Sequence, residues 1–276
     1  MNKQDIVFEN IDCFVKMKSM KDNMVDLIVT DPPYGISFNG FTSNTTWDKM
    51  DDNEYYDLLL RFLSEVKRIL KEDGTLWMFC ARTKIPLVFK AINEVELKCN
   101  LENWLTYVRA KGRGAKNKLK SQCEEVLHIT KNDKYYWNGI EYLREVIVPY
   151  VKDGKPRGWF LDQNTGQRLR WSGVGNALLF TSPFYKNKLE PQIHSTQKPF
   201  LLFTELIMLS SKQGDLVFDP FAGSACSAIS ACATNRKYIG CEIDIEMYNK
   251  AKNWIDTFNE DLIDEYIQSR IRNIIK

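Results

Sequence analysis

Short apolar runs alternate along the chain with amphipathic stretches, and most runs stop at a turn signal. "DIVFEN" and "VDLIVTD" predict two strands around a helical segment at "DCFVKMKSM". In "NEYYDLLLRFLSEVKRILKEDG", Tyr56, Leu59, Leu60, Leu63, Val66 and Leu70 recur at helical spacing, which predicts one amphipathic helix stopped by Gly74. A strand "TLWMFC", a helix near "KIPLVFKAINEV" and a strand pair "NWLTYVRA" and "EEVLHIT" follow. From Lys131 to about Ile193 the pattern lapses into aromatic, basic and glycine-containing sequence. It resumes with helix "PFLLFTELIMLSS", strand "DLVFD", helix "SACSAISACAT", strand "KYIGCEID" and a closing helix. Such alternation predicts an α/β fold, a parallel sheet covered by helices on both faces, and the lapse marks an insertion in its wiring.

Two of the strand ends carry candidate chemistry. In "TDPPYGISFNG" an apolar strand empties at Asp31 into two prolines, a tyrosine and a glycine. The stretch reads equally as a strand-ending turn capped by an acid or as a carboxylate held against an aromatic ring on a stiffened backbone. In "LVFDPFAGSACSAI" a strand delivers Asp219 to a small-residue turn and a helix start, the arrangement that builds a ligand crevice at the carboxyl edge of a parallel sheet. About twenty residues on, Glu242 ends the next strand, the position from which an acid binds ribose hydroxyls in dinucleotide folds. Ser224 is followed by Ala225 and Cys226 rather than by the Lys-Ser/Thr ending of a triphosphate loop.

Composition narrows the setting. The 276 residues suit one large domain with an insertion, and Lys+Arg 38 against Asp+Glu 36 leaves a net charge of only +2. That balance conceals a dense basic segment, "RAKGRGAKNKLK", with Arg109, Lys111, Arg113, Lys116, Lys118 and Lys120 and no acid, a candidate phosphate-binding loop. A second zone, "KDGKPRGWFLDQNTGQRLRWSGVGNALLFTSPFYKNK", mixes Arg168, Arg170 and other basic residues with aromatics. The seven cysteines form no CxxC pair and only two histidines accompany them, so no metal site and reduced thiols in a cytoplasm are expected. The N-terminal segment has no apolar signal core, and no stretch approaches the roughly 18 apolar residues of a membrane span.

With "DPPY" at 31 to 34, an irregular middle, "HSTQKP" at 194 to 199 and "FDPFAGS" at 218 to 224, in that order, the sequence resembles the beta class of S-adenosylmethionine-dependent DNA amino-methyltransferases, close to the adenine-N6 enzymes of restriction-modification systems. The resemblance covers nearly the whole chain. It implies a Rossmann-like S-adenosylmethionine methyltransferase sheet, circularly permuted, with residues 1–130 as the catalytic half, 131–193 as an inserted target-recognition region and 194–276 as the cofactor-binding half. It implies that Asp31 and the Pro32 carbonyl accept hydrogen bonds from the target amine, and that Tyr34 offers its ring face, not its hydroxyl, to a base flipped out of the duplex. By the same resemblance Asp12 contacts the cofactor's adenine, Glu242 its ribose, and Asp31, Asp219, Phe221, Gly223, Ser224, Thr196 and Lys198 its remaining parts, with Phe221 equally readable as core. Double-stranded DNA, a cognate restriction endonuclease and a second copy of the chain are the implied partners. Two departures stand out. The family usually has Gly where Ala225 stands, from which weaker cofactor binding is expected, and "HSTQKP" replaces a commoner His-Pro-Thr-Gln-Lys-Pro. A cytosine-N4 enzyme, which commonly has Ser at the Asp31 position, and a catalytically silent DNA-binding subunit are the alternatives.

Overall fold

In the computed structural model, residues 3–35, 49–113, 117, 119–146, 149–180, 190–194, 196–259, 261, 265 and 271–273 are described. Strand β1 (Ile6–Asn10) leads through Asp12 into α1 (Cys13–Ser19), and β2 (Val25–Thr30) ends at Asp31. Helix α2 (Asp52–Ile69) starts on a capping box between Asp51 and Glu54, then passes directly into β3 (Leu70–Cys80). Next come α3 (Ile85–Val95), β4 (Lys98–Cys99), β5 (Leu105–Arg113) and β6 (Ser121–Thr130). The central stretch holds β7 (Ile140–Glu145), β8 (Val151–Lys152), β9 (Lys155–Pro156), β10 (Phe160–Leu161), β11 (Arg168–Gly173) and β12 (Ala177–Phe180). The chain continues through α4 (Phe200–Ser210), β13 (Leu216–Asp219), α5 (Cys226–Ala233), β14 (Lys237–Glu242), α6 (Ile245–Thr257) and β15 (Ile271–Asn273).

Among the described residues nine strands form the main sheet, in the order β1-β14-β13-β2-β3-β6-β5-β12, with β4 on β6. The run from β1 to β3 is parallel, and β6 is antiparallel to its neighbours. Side chains alternate across the pleat, so Trp77 and Phe79 pack with α4, α5 and α6, while Leu76, Met78 and Cys80 pack with α1, α2 and α3. The result is the expected α/β sandwich with helices on both faces. A smaller sheet, β10-β11-β7-β15, gathers part of the sequence in which the alternation lapses, whereas β12 pairs in parallel with β5. Among the described residues no helix is long and apolar enough to cross a membrane.

Two sequence expectations for α2 are corrected. Its buried stripe is Tyr55, Leu59, Phe62, Leu63, Val66 and Ile69, rotated from the expected one, and Tyr56 instead donates its hydroxyl to Glu94 on α3. The helix also stops before Leu70, not at Gly74, because Leu70 already pairs with Val25 of β2. Gly74 serves the sheet: a Cβ there would stand 2.8 Å from the Asp26 carbonyl, so only glycine lets the strands approach.

Candidate active site

Because β1, β14, β13 and β2 are parallel neighbours, their carboxyl ends share one edge of the sheet. Asp12, Glu242, Asp219 and Asp31 follow those strands in that spatial order. Each acid has its own partners. Asp12 caps α1, with Oδ1 accepting from the N–H groups of Phe14 and Val15. Glu242 accepts from Gly223 N–H at 3.0 Å and Asp244 N–H at 2.8 Å, which leaves lone pairs on both oxygens for further donors. Asp219 is buried and accepts from Thr30 Oγ1, Ser227 Oγ and Phe221 N–H, and burial pushes its carboxyl up to about 7. It braces the turn that follows β13 against β2 and α5.

That turn is built from Ala222, Gly223, Ser224 and Ala225. Gly223 has φ +51° and Ala225 φ +61°, so the position where the family usually carries glycine is indeed left-handed, and an alanine occupies it. The Ser224 hydroxyl lies 3.3 Å from Cys226 Sγ, and Phe221 meets the edge of Phe62 at 5.6 Å between ring centres. Phe221 is thus half-buried and packed against the core.

The "HSTQKP" segment folds back on itself. Gln197 accepts through Oε1 from Ile193 N–H and donates to the Pro191 carbonyl, and Thr196 bonds His194 Nδ1 through both its N–H and its hydroxyl. The Lys198 carbonyl accepts from Cys226 Sγ, and Glu190 accepts the Phe200 N–H at the start of α4. Thus anchored, Lys198 sends its side chain, 6% exposed, to the end of β2. Its Nζ lies 2.5 Å from Asp31 Oδ2 and 3.0 Å from Glu124 Oε2. The other oxygen of Asp31 accepts from the Tyr34 hydroxyl at 2.5 Å, and that hydroxyl is 3.3 Å from the same Glu124 Oε2. Arg109 completes the cluster at 2.9 Å from Glu124 Oε1. Burial alone would lower the Lys198 ammonium, but Asp31 and Glu124 more than offset it and raise it. Burial raises Asp31, with Lys198 opposing and Glu124 reinforcing the rise. Glu124 is held low because Lys198 and Arg109 together outweigh its desolvation.

A carboxylate fixed beside an aromatic ring at one strand end, with a small-residue turn and a second free-edged acid two strands away, suits chemistry on a planar ligand beside a nucleoside. Comparison with known proteins gives this arrangement its family. Residues 25–253 match the family model described as DNA methylase. The chain belongs to that family. The type II methyltransferase M.HpaI of Haemophilus parainfluenzae is 31% identical over 251 residues, 90% of this chain and 74% of that protein. The DNA adenine methyltransferase YhdJ of Escherichia coli K12 is 30% identical over 85% of this chain and 77% of its own. In fold, the solved structure of an M1.HpyAVI–SAM complex superposes with a TM-score of 0.61 at 20% identity, spanning 91% of this chain and 100% of that one.

In this DNA methylase, Lys198 comes from 167 residues beyond Asp31 and meets it and Tyr34 in one cluster, with Pro32 buried beside them. Phe221, Gly223, Ser224 and Glu242 stand at or just after the ends of β13 and β14 on the same sheet edge, and Thr196 is bonded to His194 in the segment that anchors Lys198. Glu124 escaped the sequence reading, because "EEVLHIT" declares only a strand. The one available signal was a pair of acids, Glu124 and Glu125, in the middle of a strand at the point where its burial begins. Arg109, expected on DNA phosphates, turns inward: its side chain is 15% exposed and bonds Glu124 and Ser121. Lys116 and Lys118, and the side chains of Lys111 and Arg113, lie outside the described residues. Lys120 is exposed beside β6, and Arg168 and Arg170 stand exposed on β11 of the small sheet, Arg168 over the Trp159 ring.

Proposed function

We propose that this DNA methylase transfers a methyl group to the N6 amine of an adenine at a specific site in double-stranded DNA. The observation that carries the reading is the Asp31–Tyr34 pair fixed at the end of β2, on the same sheet edge as Glu242 and the 220–225 turn. The identity to relatives whose names specify type II and adenine methyltransferases supports it. Asp31 rather than Ser favours adenine N6 over cytosine N4.

The donor set fits S-adenosylmethionine. Glu242 retains acceptor capacity for ribose hydroxyls, the turn at Gly223 and Ser224 lets a ligand approach the backbone, and an edge lined with acids complements a sulfonium cation. When bound, that cofactor supplies an electrophilic methyl group. The chain's own residues do the rest. The adenine amine is a poor nucleophile because its lone pair is delocalised into the ring. Asp31 and the Pro32 carbonyl each accept a hydrogen bond from one of its N–H groups, which draws the nitrogen toward tetrahedral geometry and aims the lone pair. Tyr34 stacks the base once it has left the duplex. Asp219 holds the turn in place, and Lys198 opposes the rise that burial imposes on the Asp31 carboxyl. Phosphates of the duplex are met by exposed basic residues such as Lys120, and base edges by the small sheet bearing Arg168 and Arg170. A cognate endonuclease and pairing with a second copy complete the restriction-modification reading. Free thiols at all seven cysteines suit a cytoplasmic setting.

The test is expression in a methylation-free host followed by methylation-sensitive sequencing. N6-methyladenine in one sequence context, abolished by Asp31→Ala, is the expected result. N4-methylcytosine would establish the cytosine reading. Duplex binding with no calorimetric heat from S-adenosylmethionine would establish the silent subunit.

A further inference from the structure

Each oxygen of Asp31 already accepts one resident donor. Oδ2 holds Lys198 Nζ at 2.5 Å and Oδ1 holds the Tyr34 hydroxyl at 2.5 Å, so a target amine competes with one of them for the carboxylate it shares. The two resident donors share a second acceptor, Glu124 Oε2, at 3.0 Å from Lys198 and 3.3 Å from Tyr34. Lys198 already contacts both carboxylates, and the one hydroxyl proton of Tyr34 lies within reach of either. Glu124 is itself held in place, because Arg109 grips its other oxygen at 2.9 Å and its side chain is only 15% exposed. Without that second carboxylate, displacing Lys198 from Asp31 would strand a buried ammonium and hold the cluster shut.

We propose that Glu124 is a positioning residue for methyl transfer: it takes over Lys198 and the Tyr34 hydroxyl when the target amine claims Asp31. Glu124 touches neither base nor cofactor in this scheme and acts through Lys198 and Tyr34. The inference rests on the adenine-N6 reading and adds to it a residue outside all three sequence motifs.

Glu124→Gln keeps the shape and removes the charge. The expected result is a fall of about 10²-fold in kcat, the cost of a misplaced reacting group, with KM for S-adenosylmethionine changed less than about threefold. Glu124→Asp keeps the charge and shortens the reach, and should recover part of that loss. If Glu124→Gln fails to fold, Glu124→Asp decides alone: kcat below wild type with KM preserved supports the assignment, and wild-type kcat overturns it. A readout independent of turnover is the titration of the Asp31 carboxyl by carbon NMR in the free protein. The charged and titratable groups facing Asp31 are Lys198, Glu124, Tyr34, His194, Cys80 and Asp219. Of these Glu124 raises Asp31 and Lys198 lowers it, so Glu124→Gln should move the Asp31 midpoint to lower pH. An Asp31 midpoint unmoved in a folded Glu124→Gln protein overturns the coupling whatever the activity. Absence of N6-methyladenine from the wild-type chain would instead overturn the functional reading beneath it.

Discussion

Tyr34 donates its hydroxyl to Asp31 Oδ1 over 2.5 Å, so the aromatic ring and the carboxylate at the end of β2 are a single hydrogen-bonded unit. The sequence pattern suggested only a stacking face. Burial, with Asp31 and Glu124 adding to it, raises the Tyr34 phenol, which therefore remains a protonated donor. Tyr34→Phe keeps the ring and removes the hydroxyl that passes from Asp31 to Glu124, a bond to a charged group worth about 1.5–3 kcal/mol, so kcat should fall roughly 10- to 100-fold. Tyr34→Ala should forfeit about 1–3 kcal/mol more, from base stacking. Single-turnover rates report the first loss, and fluorescence of a duplex carrying 2-aminopurine at the target reports the second. A Phe variant at the wild-type rate would return the residue to stacking alone.

Arg109 and Lys120 belong to one basic run in the sequence but have different partners, and their mutants should separate. Lys120→Ala, on the surface, should weaken every duplex alike and flatten the log-log salt dependence by roughly 0.9 for each phosphate left without its cation. Arg109→Ala should leave the salt slope in place and lower kcat, because it removes the cation that holds Glu124. Binding of cognate and scrambled duplexes across a salt series, paired with turnover, checks both. A change of slope in Arg109→Ala would place that side chain on phosphate.

Ala225 is buried with φ +61° and ψ 30°. Left-handed backbone costs an alanine about 1–2 kcal/mol, and Ala225→Gly would relieve it. The same change forfeits a buried methyl, about 0.8 kcal/mol, and loosens the unfolded chain by about 0.4–1 kcal/mol. These terms nearly cancel, so Ala225→Gly should alter stability by less than about 1 kcal/mol. Ala225→Val, adding β-branching in a closed space, should cost at least about 2 kcal/mol. Urea denaturation of the two variants decides. A large gain from Gly would mean that the turn carries more strain than its dihedral angles imply.

Asp219 titrates near 7 in the folded protein because it is buried, against about 4 in an unfolded chain. Between those values the folded state retains a proton that the unfolded state has released. This group's contribution to stability is therefore full below about pH 4 and declines as pH rises to about 7. Asp219→Asn should flatten that decline and gain on wild type as pH rises. Glu190, also pushed up to about 7 by burial, leaves a residual slope of the same sign. Denaturation curves from about pH 4.5 to 8 give the comparison, and identical pH dependence in the two proteins would show that Asp219 is ionised throughout.

Local pattern was enough to place the strands at Ile6–Asn10, Val25–Thr30, Leu216–Asp219 and Lys237–Glu242, because buried parallel strands are short, apolar and bounded by turns. It also located the acids Asp31, Asp219 and Glu242, since each ends one of those runs. The face of α2 eluded it, because Tyr55 and Tyr56, or Leu60 and Phe62, are equally apolar on paper, and only packing against the sheet selects among them. The end of that helix eluded it as well: pairing of Leu70 with Val25 is a contact across the sheet that no local signal announces. The same holds for the cluster. Lys198 lies 167 residues from Asp31 and Glu124 lies 90 from Tyr34, and their contacts exist only once the sheet sets β3 parallel beside β2 and β6 antiparallel beside β3. Residue type and spacing thus determined which side chains stand at strand ends, because that is a property of the local chain. Which of them share a proton donor was decided by tertiary structure, because hydrogen bonding depends on distances that the sequence does not contain.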